Sequence, residues 1–192
     1  MAHFINDDNS SRTKKRIFEQ TITLLNTSSE QDVTVPKICK AANITKSTFY
    51  YYYRSVDDVI SYYGTFLSEG VSSRMSEVLL QKGYVNQILK LFEITHEVMV
   101  GSGLGLISAL YISEMKNKTL ADYPHSQPLY EIVKSLIEKA KDSGEIHSDD
   151  SAEELSIACY YIQRGILVVW IAEGGNFDLC QRCQENLLKL LK

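Results

Sequence analysis

Residues 34–55 read TVPKICKAANITKSTFYYYYRS, and this stretch decides how the N-terminal part of the chain folds. Thr34 can cap the free backbone N–H groups at the start of a helix, and Pro36 falls in its first turn, where a missing donor costs little. Asn43 ends this helix, because it tolerates a left-handed turn, and Thr45 caps a second short helix. Two short helices joined by a tight turn predict a helix-turn-helix motif.

The second helix of this motif, from Lys46 to about Tyr53, has the composition of a helix that enters DNA. The major groove is about 12 Å wide, so the leading side chains should be short and able to form hydrogen bonds. Lys46, Ser47 and Thr48 meet this requirement. The sequence therefore predicts a recognition helix whose first residues face a major groove.

Four consecutive tyrosines, Tyr50–Tyr53, occupy the rest of the recognition helix. At about 3.6 residues per turn they cannot all face inward, so at least two should be exposed. Phe49 and Tyr53, four residues apart, are predicted to pack inward. An exposed tyrosine can donate its hydroxyl to a phosphate while its ring packs on sugar or on the helix. The alternative interpretation is an aromatic core cluster in a small helical domain.

The charge of the chain is unevenly distributed. From Arg12 to Arg54 there are eight basic and three acidic residues, whereas residues 55–192 contain 12 basic and 19 acidic residues. The formal net charge of the whole chain is −4. A basic N-terminal third on an acidic body can mark a surface that binds nucleic acid. The same distribution also fits an ordinary solvated surface, so charge alone leaves both interpretations open.

The remaining sequence is predicted to be helical, because apolar residues recur at helical spacing and no segment alternates with period two for long. The predicted fold class is all-α, with about nine helices and no internal repeat. One of them is a single long helix from Ser55 to Gln81. Outside the motif the predicted helices cover residues 13–27, 55–81, 84–100, 104–116, 128–142, 151–173 and 177–191.

The motif, together with the basic lead-in RTKKRI at residues 12–17, resembles the DNA-binding domain of TetR-family transcription regulators. The resemblance covers roughly residues 12–60. It implies a homodimeric repressor whose two recognition helices enter successive major grooves of double-stranded operator DNA, and which a small-molecule effector bound in the helical body releases. Two positions depart from the family pattern: Val56 stands where a basic residue is usual, and Asn43 stands where a glycine is frequent.

The resemblance divides the chain into a helix-turn-helix DNA-binding domain, residues 1–60, and an effector-binding and dimerisation domain, residues 61–192. It assigns contacts with DNA to Lys14, Lys15, Thr34, Lys37, Thr45, Lys46, Ser47, Thr48, Tyr50, Tyr51, Tyr52 and Arg54. The candidate effector pocket consists of Phe66, Phe92, His96, Met99, Tyr111, Tyr130, Tyr160 and Gln163. The candidate dimer interface, formed by the last two helices, consists of Tyr161, Val168, Leu187, Leu188 and Leu191.

The nature of the controlling partner stays open at this point. A small apolar or amphipathic effector would need an apolar pocket with a few polar groups. Most of the aromatic residues of the body are, however, better explained as plain core. A well-packed body with no cavity above about 300 Å³ would favour control by a partner protein.

No pattern in the sequence indicates an enzyme, a metal site or a cofactor. Residues 101–106, GSGLGL, lack the third glycine of a dinucleotide-binding loop and follow no strand, so they predict a helix-breaking junction. Cys180 and Cys183 have the spacing of a redox motif but no second cysteine pair for zinc. The four histidines are scattered, and no Ser/His/Asp or paired-carboxylate arrangement is present.

The sequence also predicts a soluble, cytoplasmic protein. Residues 1–8 lack the basic and apolar regions of a secretory signal. The longest apolar stretch, residues 157–172, is interrupted by Gln163 and Arg164. Because a bilayer span needs about 20 mostly apolar residues, this stretch is predicted to be a buried helix.

Overall fold

A computed structural model describes residues 2–29, 32–118 and 122–192, with side chains from residue 10 onward. Within these ranges eleven segments are α-helices, nine of them with seven or more residues, and no β-strand occurs. The all-α prediction is confirmed. The helices are α1 (Ala2–Thr27), α2 (Val35–Ala41), α3 (Lys46–Tyr52), α4 (Val56–Ser61), α5 (Tyr63–Ser72), α6 (Met75–Leu79), α7 (Tyr84–Ser102), α8 (Leu104–Asn117), α9 (Tyr130–Asp142), α10 (Ala152–Ala172) and α11 (Leu179–Leu191).

The predicted helix-turn-helix is formed by α2 and α3. The hydroxyl of Thr45 accepts a hydrogen bond from the backbone N–H of Thr48 at 3.1 Å, which confirms the predicted cap of α3. Asn43 has the predicted left-handed backbone, with φ of 50°. Thr34 stands at the N-cap position of α2, but its side chain forms no capping hydrogen bond, so that detail of the prediction is wrong.

The prediction of one long helix from Ser55 to Gln81 is wrong, because the structure has α4, α5 and α6 in its place. At the first two helix ends a serine hydroxyl donates to a carbonyl of the preceding turn. Ser61 donates to Asp57 at 2.9 Å, and Ser73 donates to Gly70 at 2.8 Å. Such bonds compete with the helical N–H ladder and favour interruption of the helix.

The helices form two compact units, which we describe separately. Unit 1 contains the residues up to Tyr63 together with Ser102–Asn117. In this unit α8 packs against α1 and α4, and α2 packs against α1 and α3. The functional division predicted after residue 60 stays a prediction; in the structure, α8 packs with the N-terminal helices.

Unit 2 contains Gly64–Gly101 and the residues from Lys118 onward. Its central helix is α10, which packs against both α9 and α11. A complete capping box starts α10: the Ser151 hydroxyl accepts from the Glu154 N–H at 3.2 Å, and the Glu154 carboxylate accepts from the Ser151 N–H at 2.8 Å. These bonds satisfy backbone donors that the first turn would otherwise leave free.

Among the described residues one helix, α10, is long and apolar enough by length and composition to cross a membrane. The central helix of a protein core has the same composition. Leu155, Cys159, Leu167 and Trp170 of α10 are buried within the chain. Its packing between α9 and α11 accounts for these buried apolar residues, whereas the face with Tyr161, Gly165 and Val169 is exposed.

Candidate nucleic-acid interface and ligand cavity

Two aromatic side chains hold the recognition helix α3 against the rest of unit 1. Phe49 and Tyr53 are buried, as predicted, and their ring centroids lie 6.1 Å apart. The Tyr53 hydroxyl donates to the backbone carbonyl of Lys14 in α1 at 3.2 Å. Burial raises the pKa of Tyr53 above its ordinary value, so the hydroxyl stays a donor. The inner face of α3 is thus held in a defined orientation.

The opposite face of α3 is open to solvent. Lys46 and Ser47 are exposed at its start, and Tyr50 and Tyr51 are 58% and 78% exposed. The alternative of an aromatic core cluster therefore does not hold for Tyr50 and Tyr51, whose rings stand outside the core. Exposed aromatic and hydroxyl groups beside a lysine form a surface that can contact phosphate and base edges.

Of the twelve residues assigned to DNA contact, Lys14, Thr48 and Tyr52 are half-buried and the others are exposed. The Lys14 ammonium lies over the rings of Tyr53 and Tyr62, 5.7 Å and 4.7 Å from their centroids. Lys14 is therefore already engaged in cation–π contacts. The remaining cations of the set, Lys15, Lys37, Lys46 and Arg54, are exposed, and Lys37 pairs with Asp32 at 3.4 Å.

Unit 2 contains a small, partly open cavity of about 30 Å³ between α5, α7, α9, α10 and residues 127–129. Four of the eight predicted pocket residues line it: Phe92, Met99, Tyr160 and Gln163. The other lining residues are Leu67, Ser68, Leu91, Thr95, Gln127, Pro128, Leu129 and Val133. The spacing of Leu91 and Thr95 relative to Phe92 and Met99 on α7 could have revealed part of this wall, because all four share one helix face.

The other four predicted pocket residues do not line the cavity. Phe66 is half-buried on α5, and Tyr111 lies on α8, which belongs to unit 1. Tyr130 is buried, with its ring centroid 5.8 Å from that of Tyr160, and so packs behind a lining residue. His96 is likewise fully buried.

His96 is the least satisfied polar side chain near the cavity. Its exposure is 0%, and neither ring nitrogen has a hydrogen-bond partner among the described residues. Its ring stacks on that of Phe92 with centroids 6.2 Å apart. Burial lowers the pKa of His96 to about 4, so the ring is neutral at pH 7.

The predicted dimer residues fall into two groups. Leu187 and Leu191 are buried inside the chain, where α11 packs on α10, so they offer no surface to a second copy. Tyr161 is exposed, and Val168 and Leu188 are half-buried. The exposed apolar face of α10 runs through Tyr161, Gly165 and Val169, each four residues from the next.

The two neighbouring cysteines of α11 are free thiols. Burial raises the pKa of Cys180 to about 11 and that of Cys183 to about 12. Both thiols therefore stay protonated at neutral pH, which disfavours the thiolate that redox chemistry and metal binding require. Within the described parts of the chain no group of three His, Cys, Asp or Glu side chains could hold a metal ion.

An open groove of about 710 Å³ lies on another side of unit 2. It is bordered by the C-terminal part of α7, the start of α11 and the connection that precedes α11. Its acidic residues are partly neutralised: Glu97 pairs with Arg74, and Glu93 contacts both Lys90 and Gln184. The groove is far larger than the cavity between α5, α7, α9 and α10.

No protein-family model matches the sequence, and no curated protein matches it. Solved structures do match over nearly the whole chain. FadR from Thermus thermophilus, a TetR-family transcriptional repressor in complex with lauroyl-CoA, is 23% identical with a TM-score of 0.67, covering 93% of both chains. FadR from Bacillus subtilis, in complex with stearoyl-CoA, is 16% identical with a TM-score of 0.69, covering 93% of this chain and 97% of that one.

A TetR-family transcriptional regulator from Rhodococcus sp. is 13% identical with a TM-score of 0.72, covering 95% of this chain and 100% of that one. At these identities the likeness shows the fold. The chain is thus an all-α protein with an N-terminal helix-turn-helix and a helical body. This is the fold of these TetR-family transcription regulators, so the resemblance seen in the sequence is confirmed at the level of the fold.

Proposed function

We propose that the protein is a dimeric, DNA-binding transcriptional repressor whose affinity for operator DNA is set by a small effector. The observation that carries this proposal is the exposed face of α3, with Lys46, Ser47, Tyr50 and Tyr51 open to solvent within the basic segment from Arg12 to Arg54. The buried anchors on the other face support it, because a reading helix has to keep its orientation. We expect the protein to act in the cytoplasm, where operator DNA is found.

Electrostatic contacts with phosphates would supply most of the affinity for DNA, and contacts of α3 with the bases would determine which DNA sequence is bound. Lys15, Lys37, Lys46 and Arg54 are the exposed cations of the candidate surface. If each protomer neutralises about four phosphates, the dimer should show a log–log salt slope of about −7. The two half-sites should lie about 34–36 Å apart, one turn of the duplex.

The double variant Lys46→Ala, Tyr50→Ala is expected to bind operator DNA roughly fiftyfold more weakly, because it removes one cation and one ring from the reading face. The operator would be selected from a random duplex library with the native protein, and affinities measured by fluorescence anisotropy. Lys189→Ala, which removes an exposed lysine from α11 in unit 2, serves as the charge-matched control. Equal affinity of the double variant and the control would contradict the assignment of α3.

The effector we propose is a small apolar or amphipathic molecule that binds at the small cavity of unit 2. The two FadR structures are complexes with acyl-CoA thioesters, so lauroyl-CoA and stearoyl-CoA are the first probes. The cavity of about 30 Å³ holds no more than a water or two, so a ligand has to displace part of its wall. Such a ligand can shift operator affinity only as far as it binds the arrangement that releases DNA more tightly than the arrangement that binds DNA.

The small size of this cavity also favours a second candidate, a helix-turn-helix regulator controlled by a partner protein. Preformed ligand sites usually have volumes above about 300 Å³. The two candidates differ in one measurable respect. A fall in operator affinity on addition of acyl-CoA supports the effector, whereas unchanged affinity with every apolar probe supports the partner protein.

We propose that two copies pair through the exposed face of α10 at Tyr161, Gly165 and Val169. Val169→Asp is expected to weaken the dimer about fiftyfold, because each copy would bring an unpaired carboxylate into an apolar contact. Val100→Asp on α7 is the matched control, since both valines are 44% exposed. Sedimentation equilibrium would measure the association constant of each variant. The interface would be refuted if the Val169→Asp variant still formed the dimer and the Val100→Asp variant were monomeric.

A further inference from the structure

His96 lies on α7 at the edge of the face that forms the cavity wall, beside the lining residue Phe92. Phe92, Thr95 and Met99 line the cavity. Together with His96 they occupy positions i, i+3, i+4 and i+7, which form one stripe along a helix. The Phe92 ring stacks on the imidazole, so this ring stands beside His96 in the wall. A ligand that displaces Phe92 would therefore meet His96.

The imidazole of His96 can form hydrogen bonds with such a ligand. Its two ring nitrogens are buried and have no partner in the part of the chain that the structure describes. A buried polar group without a partner costs about 1–3 kcal/mol, and a ligand that supplies a partner recovers this cost. A neutral imidazole has one donor and one acceptor nitrogen, so it can bind a hydroxyl or a carbonyl group.

The cavity lining sets the charge of the ligand. None of the twelve described residues that line the cavity is charged; they combine apolar side chains with Ser68, Thr95, Gln127, Tyr160 and Gln163. An ion placed there would lose its hydration without gaining a counter-ion, which is strongly unfavourable. The seated part of the ligand is therefore uncharged.

From this arrangement we propose that His96 is the polar anchor of the unit 2 cavity, and that the cavity takes an apolar ligand bearing a neutral hydroxyl or carbonyl group. The inference rests on the proposed effector function and narrows it to one chemical class. A free carboxylate or ammonium group is excluded from the seated part, whereas a thioester, ester, amide or alcohol fits.

Three probes with the same eight-carbon alkyl chain separate neutral from charged ligands: octan-1-ol, octanoate and octylammonium. Titration at pH 7.5, followed by amide NMR shifts of the full-length protein, gives each dissociation constant without DNA. We expect octan-1-ol to bind at least about tenfold more tightly than either ion. His96→Leu should weaken octan-1-ol about five- to tenfold, the effect of one hydrogen bond, while His96→Gln should restore part of the affinity. His147→Leu, at an exposed histidine, is the matched control.

The ring nitrogens of His96 provide a second readout. Binding of octan-1-ol should shift a His96 ring ¹⁵N resonance of the native protein, because a hydrogen bond forms there. Octanoate binding as tightly as octan-1-ol, no binding of any probe, or equal loss of affinity in His96→Leu and His147→Leu would each overturn the inference. Operator affinity is measured separately, so these outcomes are distinguishable from a failure of DNA binding by the native protein.

Discussion

Gly105→Ala is expected to lower the free energy of unfolding by about 3 kcal/mol or more. Gly105 lies in the first turn of α8, directly against the C-terminal end of α1. A Cβ atom there would lie at or within 3.0 Å of the Leu25 carbonyl and the Asn26 Cα atom. These are backbone atoms, so no side-chain rotation can relieve the overlap, and α1 and α8 have to move apart.

That separation would also break a set of hydrogen bonds centred on Asn26. Its side-chain amide donates to the Ser102 carbonyl at 2.8 Å, and its oxygen accepts from the N–H groups of Gly105 at 2.9 Å and Leu106 at 3.3 Å. These bonds cap the start of α8 and the end of α7. Their loss is part of the expected destabilisation.

Gly101→Ala is the matched control for this prediction. Gly101 lies in α7, four residues away, and a Cβ atom there would meet nothing within 4 Å. This variant should raise the free energy of unfolding by about 0.5–1 kcal/mol, because alanine loses less conformational freedom in a helix. Urea denaturation of the two variants provides the test. Equal stabilities would mean that the approach of α1 to α8 is not tight.

The same junction shows what the sequence can and cannot predict. The glycine-rich run at residues 101–106 predicts a break between two helices, and the structure has this break at Gly103, with φ of 89°. The close approach of Asn26 is not predictable, because it is 79 residues away from Gly105 along the chain. Local conformation follows from local residues, whereas the neighbours of a helix depend on how all helices pack.

The helix-turn-helix was predictable because its signals are local. The Thr45 cap, the turn at Asn43 and the inward spacing of Phe49 and Tyr53 each depend on residues within one or two helical turns. Periodicity alone could not detect the interruptions of the predicted long helix, since α5 continues the apolar pattern after Tyr62.

The ligand cavity and the dimer residues were only partly predictable. Phe92 and Met99 share a face of α7, so both line the cavity once one of them does. Leu187 and Leu191 look like interface residues in the sequence, but α11 uses them to pack against α10 within one chain. An apolar stripe shows that a helix face is buried, and it does not show whether the same chain or a second copy covers it.

Acidification from pH 7.5 to pH 4 is expected to destabilise the native protein by about 3 kcal/mol through His96 alone. Burial lowers the pKa of His96 from 6.5 to about 4. Between these two values the unfolded chain binds a proton that the folded chain does not bind. The free energy of unfolding therefore falls as the pH drops through 6.5 and stops falling, for this group, near pH 4.

His96→Leu should remove this dependence and be at least as stable as the native protein at pH 7.5, since leucine leaves no polar atom unpartnered in the core. Urea unfolding of both proteins at pH 7.5 and pH 5 gives the cleanest comparison. The carboxylate of Glu153, whose pKa is lowered to about 2 chiefly by Lys134, titrates below this range in both proteins. The native protein should lose about 2 kcal/mol more than the variant between pH 7.5 and pH 5. Parallel losses in the two proteins would show that His96 is not a buried neutral imidazole, because only such a group resists protonation in the folded state.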